Sequence, residues 1–294
     1  MPSLTSKYLS IEMRILRPLL NKFNINRARI LQDLFGDIRK KIISKKVDYT
    51  EITLGCCEAC FVVSKDIKKN NKRVILYLHG GSYVFGGIKY ARGFAGTLAM
   101  ETKQRVFTIA YRLAPENPYP AAVEDSFSAY EYLLREGYSP GNVALVGESA
   151  GGGLIFSLCL LLKQKGVPLP SALIGISPWA DLTFSGESYK YNRKKDPVLS
   201  EEGLRKNAAA YAKDHERDPL VSPIYGDLSK FPPVLIIVGG NELLLDDSKR
   251  LAESLLKQGN KCELIIEEGL WHVYVLFKTP EAKVALGKIA AFLR

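Results

Sequence analysis

The chain has 294 residues, 47% apolar and 24% charged, proportions of an ordinary globular protein that exclude a disordered, collagen-like or disulfide-scaffold chain. Its net charge of +10 invites a nucleic-acid reading. However, residues 1–50 carry 11 Lys/Arg against 4 Asp/Glu and residues 189–217 carry 8 against 5, so two segments hold the whole excess, and no nucleic-acid motif accompanies either. No stretch reaches the roughly 18 uninterrupted apolar residues of a membrane span. The five cysteines are sparse and odd in number, and the N-terminus builds no apolar secretion signal, so a cytoplasmic protein is expected.

Two basic amphipathic helices are predicted to open the chain. Leu9, Met13, Leu16, Leu20 and Phe23 recur at helical spacing, and so do Ala28, Leu31, Phe35, Ile38 and Ile42. Pro18 breaks or kinks the first helix, and both stripes are expected to dock on the rest of the protein. After residue 50, short apolar runs read as buried strands: Val74–Leu78, Val106–Ala110, Val143–Val146, Leu173–Ser177, Val234–Val238 and Leu264–Ile266. Helical stretches separate most of them, clearest at Ala121–Glu136, Ala150–Lys165 and Leu245–Gln258. A last helix starts with Thr279 as N-cap and Pro280 in its first turn. Strands alternating with helices imply an α/β fold, a parallel sheet covered on both faces, with the site at the carboxyl ends of the strands.

The chemistry appears where that rule places it. The run Val143–Val146 leads into Gly147-Glu148-Ser149-Ala150-Gly151 and then a helix, the G-x-S-x-G nucleophile elbow in its strand–turn–helix context. A phosphate-cradling loop is the competing reading, but no Lys follows as in a P-loop. A serine needs a base, and the chain has three histidines. His79 opens His79-Gly80-Gly81-Ser82-Tyr83, a loop whose backbone N–H groups suit an oxyanion hole, and is expected to brace that loop. His215 lies in a charged, solvated stretch. His272 follows the last strand, where the base belongs. The acid should follow Val234–Val238, where Glu242 comes first. Asp246 and Asp247 lie in the next helix, where carboxylates suit its positive end. Glu242 is the preferred acid and Asp246 the alternative. The order Ser149, Glu242, His272 is that of the α/β-hydrolases. Cys57-Glu58-Ala59-Cys60, with Cys56 beside it, has CxxC spacing but no further Cys or His ligand nearby, so an edge hairpin is expected rather than a metal site.

Residues 50–294 resemble the hormone-sensitive-lipase-like family of α/β-hydrolases, the bacterial carboxylesterase and acetyl-esterase type. The resemblance rests on His79-Gly80-Gly81, Tyr111-Arg112-Leu113-Ala114-Pro115-Glu116, Gly147-Glu148-Ser149-Ala150-Gly151-Gly152, Ser177-Pro178-Trp179-Ala180-Asp181-Leu182, Asp218-Pro219-Leu220-Val221-Ser222-Pro223 and His272-Val273. It implies a mostly parallel central sheet covered on both faces, a helical cap, hydrolysis of short-chain esters, and no cofactor or metal. The cap would comprise residues 1–50 and an insertion at about 185–215, the two segments that hold the net charge, with the catalytic domain spanning 51–294. Such a charged cap would weakly attract anionic surfaces. The family also includes dimers formed through the sheet edge. The expected partner is a small ester, bound without nucleic acid or an integral membrane anchor. Ser149 attacks, His272 accepts the proton, Glu242 holds the imidazole, and the amides of Gly80, Gly81 and Ala150 receive the oxyanion. Where the family commonly has a third glycine this chain has Ser82, and where its acid is commonly Asp this chain has Glu242. Arg112 and Glu116 are expected to pair and brace the oxyanion loop. Plant gibberellin receptors resemble the family at the serine but lack the histidine, and His272 separates this chain from them. An amidase or deacetylase on the same fold is the other alternative.

Overall fold

The computed structural model describes residues 1–20, 23–68 and 70–294, with Leu20 described through its backbone. Helices α1 (Leu4–Leu20) and α2 (Ile25–Ile43) lead into a hairpin of β1 (Val47–Leu54) and β2 (Cys57–Ser64). Then come β3 (Val74–Leu78), α3 (Ile88–Thr102), β4 (Arg105–Ile109), α4 (Ala121–Arg135), β5 (Val143–Glu148), α5 (Ala150–Gln164) and β6 (Ala172–Ile176). The short α6 (Ser188–Tyr191), α7 (Glu201–Ala212), β7 (Val234–Gly239), α8 (Leu245–Lys257), β8 (Cys262–Glu267) and α9 (Pro280–Phe292) complete the order. The strands form one sheet in the order β1-β2-β4-β3-β5-β6-β7-β8. The pairs β1–β2 and β2–β4 are antiparallel and the other five are parallel.

The all-apolar strands are uniform because both faces are covered. Every residue of β3, β5, β6 and β7 is buried. One face packs against α4, α5 and α8, the other against α3 and α9. The six predicted runs fall on β3 to β8, within two residues at each end, and Thr279 caps α9 as expected by accepting from the Ala282 amide. The cysteine run lies in the β1–β2 hairpin, with Cys57 and Cys60 buried in β2. Because β1 starts at Val47, the end of the 1–50 segment belongs to the sheet.

The sequence pattern does not reveal α3. It lies between α2, the sheet and α9, so apolar or small residues surround it on most sides and no single stripe forms. Its Gly93 lies against Gly36 of α2: a Cβ on either would overlap the backbone of the other helix. That close crossing also corrects the expected docking face of α2. The helix docks through bare Gly36, which leaves Phe35, Ile38 and Ile42 exposed instead of buried. On α1, Leu9 and Met13 pack on the protein as expected, whereas Leu16 is exposed. The side chain of Leu20 lies outside the described residues. Despite Pro18, α1 continues to Leu20.

The crossing should respond to a single methyl-bearing change. Gly36→Val should lower stability by about 1–3 kcal/mol through overpacking, read as the shift in a urea unfolding curve. Exposed Gly287 in α9 has open space around it. There Gly287→Ala should raise stability by roughly 0.5–1 kcal/mol.

Candidate active site

Each site residue sits just beyond the carboxyl end of a strand. Ser149 follows β5 with φ 55° and ψ −122°, a strained backbone for a residue with a side chain. The flanking glycines are steric requirements. A Cβ on Gly147 would overlap the Gly151 carbonyl, and a Cβ on Gly151 would overlap that of Leu78. The Ser149 amide donates to the Ile176 carbonyl at 2.9 Å, which ties the turn to β6.

Ser149 Oγ lies 2.9 Å from His272 Nε2, and His272 Nδ1 lies 2.6 Å from Glu242 Oε2. The other oxygen of Glu242 accepts from the Ser177 hydroxyl at 2.9 Å and the Gly239 amide at 2.6 Å. The Ser177 hydroxyl also accepts from the Val273 amide at 3.0 Å, so one side chain pins both the acid and the histidine loop. Glu242 is fully buried and His272 is 2% exposed, while Ser149 keeps 6% exposure. The competing carboxylates are engaged elsewhere. Asp246 accepts from the Ser188 amide and the Tyr191 hydroxyl, and Asp247 from the Ala180 and Asp181 amides. Among the described residues, Glu242 is the carboxylate that meets His272.

Three residues of the expected cap insertion hold the acid loop, and the sequence reading missed them. Asn192 donates to the carbonyls of Gly240 and Glu242. Asp196 accepts from the Leu243 amide at 2.9 Å, and the Ser188 hydroxyl donates to the Leu243 carbonyl. Burial raises the Asp196 carboxyl above the usual aspartate range. The available signal was polar residues, Asn192 and Asp196, bounding a basic run.

The oxyanion expectation needs one correction. The Gly80 amide donates to Glu148 Oε1 at 2.6 Å, so it is not available to a substrate. Among the described residues, the amides of Gly81, Ser82 and Ala150 have no acceptor. Gly81 has φ 108° and Ser82 has φ 55°. This left-handed backbone explains why a glycine suits the position of Ser82. Glu148 also accepts from the Tyr77 hydroxyl at 2.7 Å and the Tyr90 hydroxyl at 3.0 Å. Burial raises its carboxyl to about 7 against those three donors, which favour the charged form.

His79 braces the loop as expected. Its ring stacks on Tyr111 with centroids 4.2 Å apart, its Nδ1 lies 2.7 Å from the Gly80 carbonyl, and burial lowers its pKa to about 4. His215 is exposed. The expected Arg112–Glu116 pair does not form. Arg112 grips Asp125 at 2.8 Å, and Glu116 pairs with Arg29 of α2 at 2.8 Å. Arg29 also donates to the carbonyls of Val84 and Ala114. Cys56, Cys57 and Asp125 converge within 4.8 Å, but both Asp125 oxygens already accept from the Arg112 guanidinium, a poor setting for a cation.

Two substitutions test this geometry. Ser177→Ala removes the shared clamp and should lower kcat for an ester about tenfold or more, with KM little changed. Glu148→Gln addresses pH. Folding raises the Glu148 pKa, so its favourable contribution to stability is complete below about pH 4.3 and is lost as pH rises through about 7. Unfolding curves of Glu148→Gln should lack that decline.

Residues 75–276 match the family described as alpha/beta hydrolase fold. An acetyl-hydrolase of Streptomyces hygroscopicus is 39% identical over 83% of this chain and 81% of its own. An esterase of Acinetobacter venetianus is 39% identical over 75% and 74%. A crystal structure of an esterase from the bacterial hormone-sensitive lipase family superposes with a TM-score of 0.91 at 33% identity, covering 100% of this chain and 99% of that one. Another, of an esterase soaked with p-nitrophenyl butyrate, gives 0.90 at 32% identity, covering 99% and 98%. With its serine elbow, its histidine after the last strand and this likeness along its whole length, the chain belongs to the hormone-sensitive-lipase-like family of α/β-hydrolases.

Proposed function

We propose that the protein is a serine carboxylesterase that cleaves short-chain acyl esters through an acyl-enzyme, with Ser149, His272 and Glu242 as its catalytic residues. The observation that carries the reading is the buried, hydrogen-bonded relay from Glu242 through His272 to Ser149, beside three amides with no acceptor among the described residues. Ser149 Oγ attacks the ester carbonyl while His272 Nε2 takes its proton. The Glu242 carboxylate compensates the imidazolium that forms. The amides of Gly81, Ser82 and Ala150 receive the developing oxyanion, where one such donor is typically worth ~3–4 kcal/mol. Ala150 opens α5, so the positive end of that helix adds to the field there. His272 then protonates the leaving alcohol, and water attacks the acyl-enzyme by the reverse of the same proton path.

An acetyl-hydrolase among the relatives and the p-nitrophenyl butyrate soaked into one solved structural neighbour support a short acyl group. In this reading α1, α2 and residues 185–215 form the cap over the sheet domain. Five free thiols support a reducing, cytoplasmic setting.

With p-nitrophenyl butyrate as substrate, Ser149→Ala should abolish turnover. Glu242→Gln should lower kcat by about 10⁴-fold, and Asp246→Asn by less than about tenfold. Equal losses in the two acid variants would overturn the assignment of Glu242, and retained turnover in Ser149→Ala would overturn the reaction class.

A further inference from the structure

We infer that the outward face of α1, together with Arg193-Lys194-Lys195, docks on an anionic lipid surface. The helix carries two apolar rows. Leu9 and Met13 pack on the protein. On another side Leu4, Tyr8, Ile11, Ile15 and Leu19 recur at helical spacing and stand in solvent, with Ile15 71% and Tyr8 64% exposed. A row of five large apolar side chains along one helix marks an interaction surface rather than scattered exposure.

The fold brings the second charged segment to this helix. Arg14 donates to the Lys195 carbonyl at 2.9 Å, and Arg17 to the carbonyls of Asp196 and Leu199 at 2.6 and 3.1 Å. Arg193, Lys194 and Lys195 are all exposed, and so are Lys7 and Arg14 on α1. The helix has a single acid, Glu12. The second basic segment therefore meets, through Arg14 and Arg17, the same helix that carries the apolar row, although some 180 residues separate them along the chain.

That combination selects the occupant. A second copy of this chain would meet the same face across a twofold axis and bring these cations against themselves. An uncharged lipid surface would leave them without counter-charges. An anionic leaflet complements both parts: the apolar row enters the interface and the cations meet the headgroups. Asp196, whose carbonyl takes Arg17, also takes the Leu243 amide beside Glu242, so the docking face adjoins the segment that holds the acid loop. The inference stands apart from the esterase reading, because its measurement is binding.

The test is co-sedimentation of the full chain with vesicles of phosphatidylcholine, alone or mixed with phosphatidylglycerol, across a salt series. The wild type should bind only the anionic vesicles and release as salt rises. Ile11→Gln/Ile15→Gln should weaken binding at least tenfold. Arg193→Gln/Lys194→Gln/Lys195→Gln should weaken it by about fivefold per cation and flatten the salt dependence. Circular dichroism establishes that the variants are folded, and the salt series on the wild type is independent of them. No binding to anionic vesicles, or equal binding by wild type and both variants, would overturn the proposal. So would self-association in analytical ultracentrifugation, abolished by Ile11→Gln/Ile15→Gln, in a protein that ignores vesicles, which would make a second copy the occupant.

Discussion

The site depends on one backbone constraint, the left-handed turn at Ser149. A serine held at φ 55° directly after a buried strand stands above the sheet, and it can do so because Gly147 and Gly151, two residues to either side, have no Cβ. Gly147 and Gly151 let β5, α5 and the end of β3 approach closely. The Ser149 amide is satisfied by β6 and its carbonyl accepts from the amides of Gly153 and Trp179, so the unusual conformation is held from two sides. The sheet supplies the rigidity that such strain requires, since β5 is buried along its whole length and paired on both sides.

The same turn distributes neighbouring groups with opposite purposes. Successive side chains of an extended strand alternate between faces. Ser149 therefore meets His272, while Glu148 enters the protein and collects Tyr77, Tyr90 and the Gly80 amide. A carboxylate so deep in an apolar strand end is costly unless donors surround it, and its donors fasten the loop that carries Gly81 and Ser82. Helix α2 reaches that loop independently. Gly36 seats α2 on α3, and Arg29 from α2 bonds the carbonyls of Val84 and Ala114. The Arg29–Glu116 pair is half exposed, and such pairs contribute little stability. Its consequence is positional, coupling α2 to the loop that carries Gly81 and Ser82.

Much of this was readable from sequence because the informative features are local or topological. Uniform apolar runs located the parallel strands. The elbow pointed to Ser149 and strand order to Glu242 and His272, and the structure brings His272 within hydrogen-bond distance of both of the others. What escaped depends on contacts between distant segments. Nothing near Gly80 in the sequence shows that its amide belongs to a glutamate 68 residues later. The Arg112–Glu116 expectation joined neighbours in sequence, whereas each found a better partner on another helix, Asp125 and Arg29. The face of α2 was misjudged because apolar periodicity locates a stripe, while the tightest approach went to a glycine outside it. Glu148 carried a signal that could have been used: a lone charge ending a buried apolar strand needs donors.

The Gly81–Ser82 turn shows how backbone conformation alone can leave amides without intraprotein acceptors. Gly81 and Ser82 both have positive φ, and Ala150 begins a helix; these three backbone conditions leave the amides without intraprotein acceptors. A serine in the left-handed region costs roughly 1–2 kcal/mol relative to a right-handed backbone. That cost is met by the anchors on either side of it, the Gly80–Glu148 bond before the turn and the Val84 and Phe85 amides returning to the Gly81 carbonyl after it. A third strained serine, Ser177 at φ 49°, sits after β6 and clamps Glu242 and the histidine loop through one hydroxyl. Strain thus concentrates at the carboxyl ends of adjacent strands, each strained residue fixed by bonds to a different loop. The positions of Ser149, Glu242 and the Gly81, Ser82 and Ala150 amides are therefore set by the carboxyl ends of the strands they follow, more than by any one side chain.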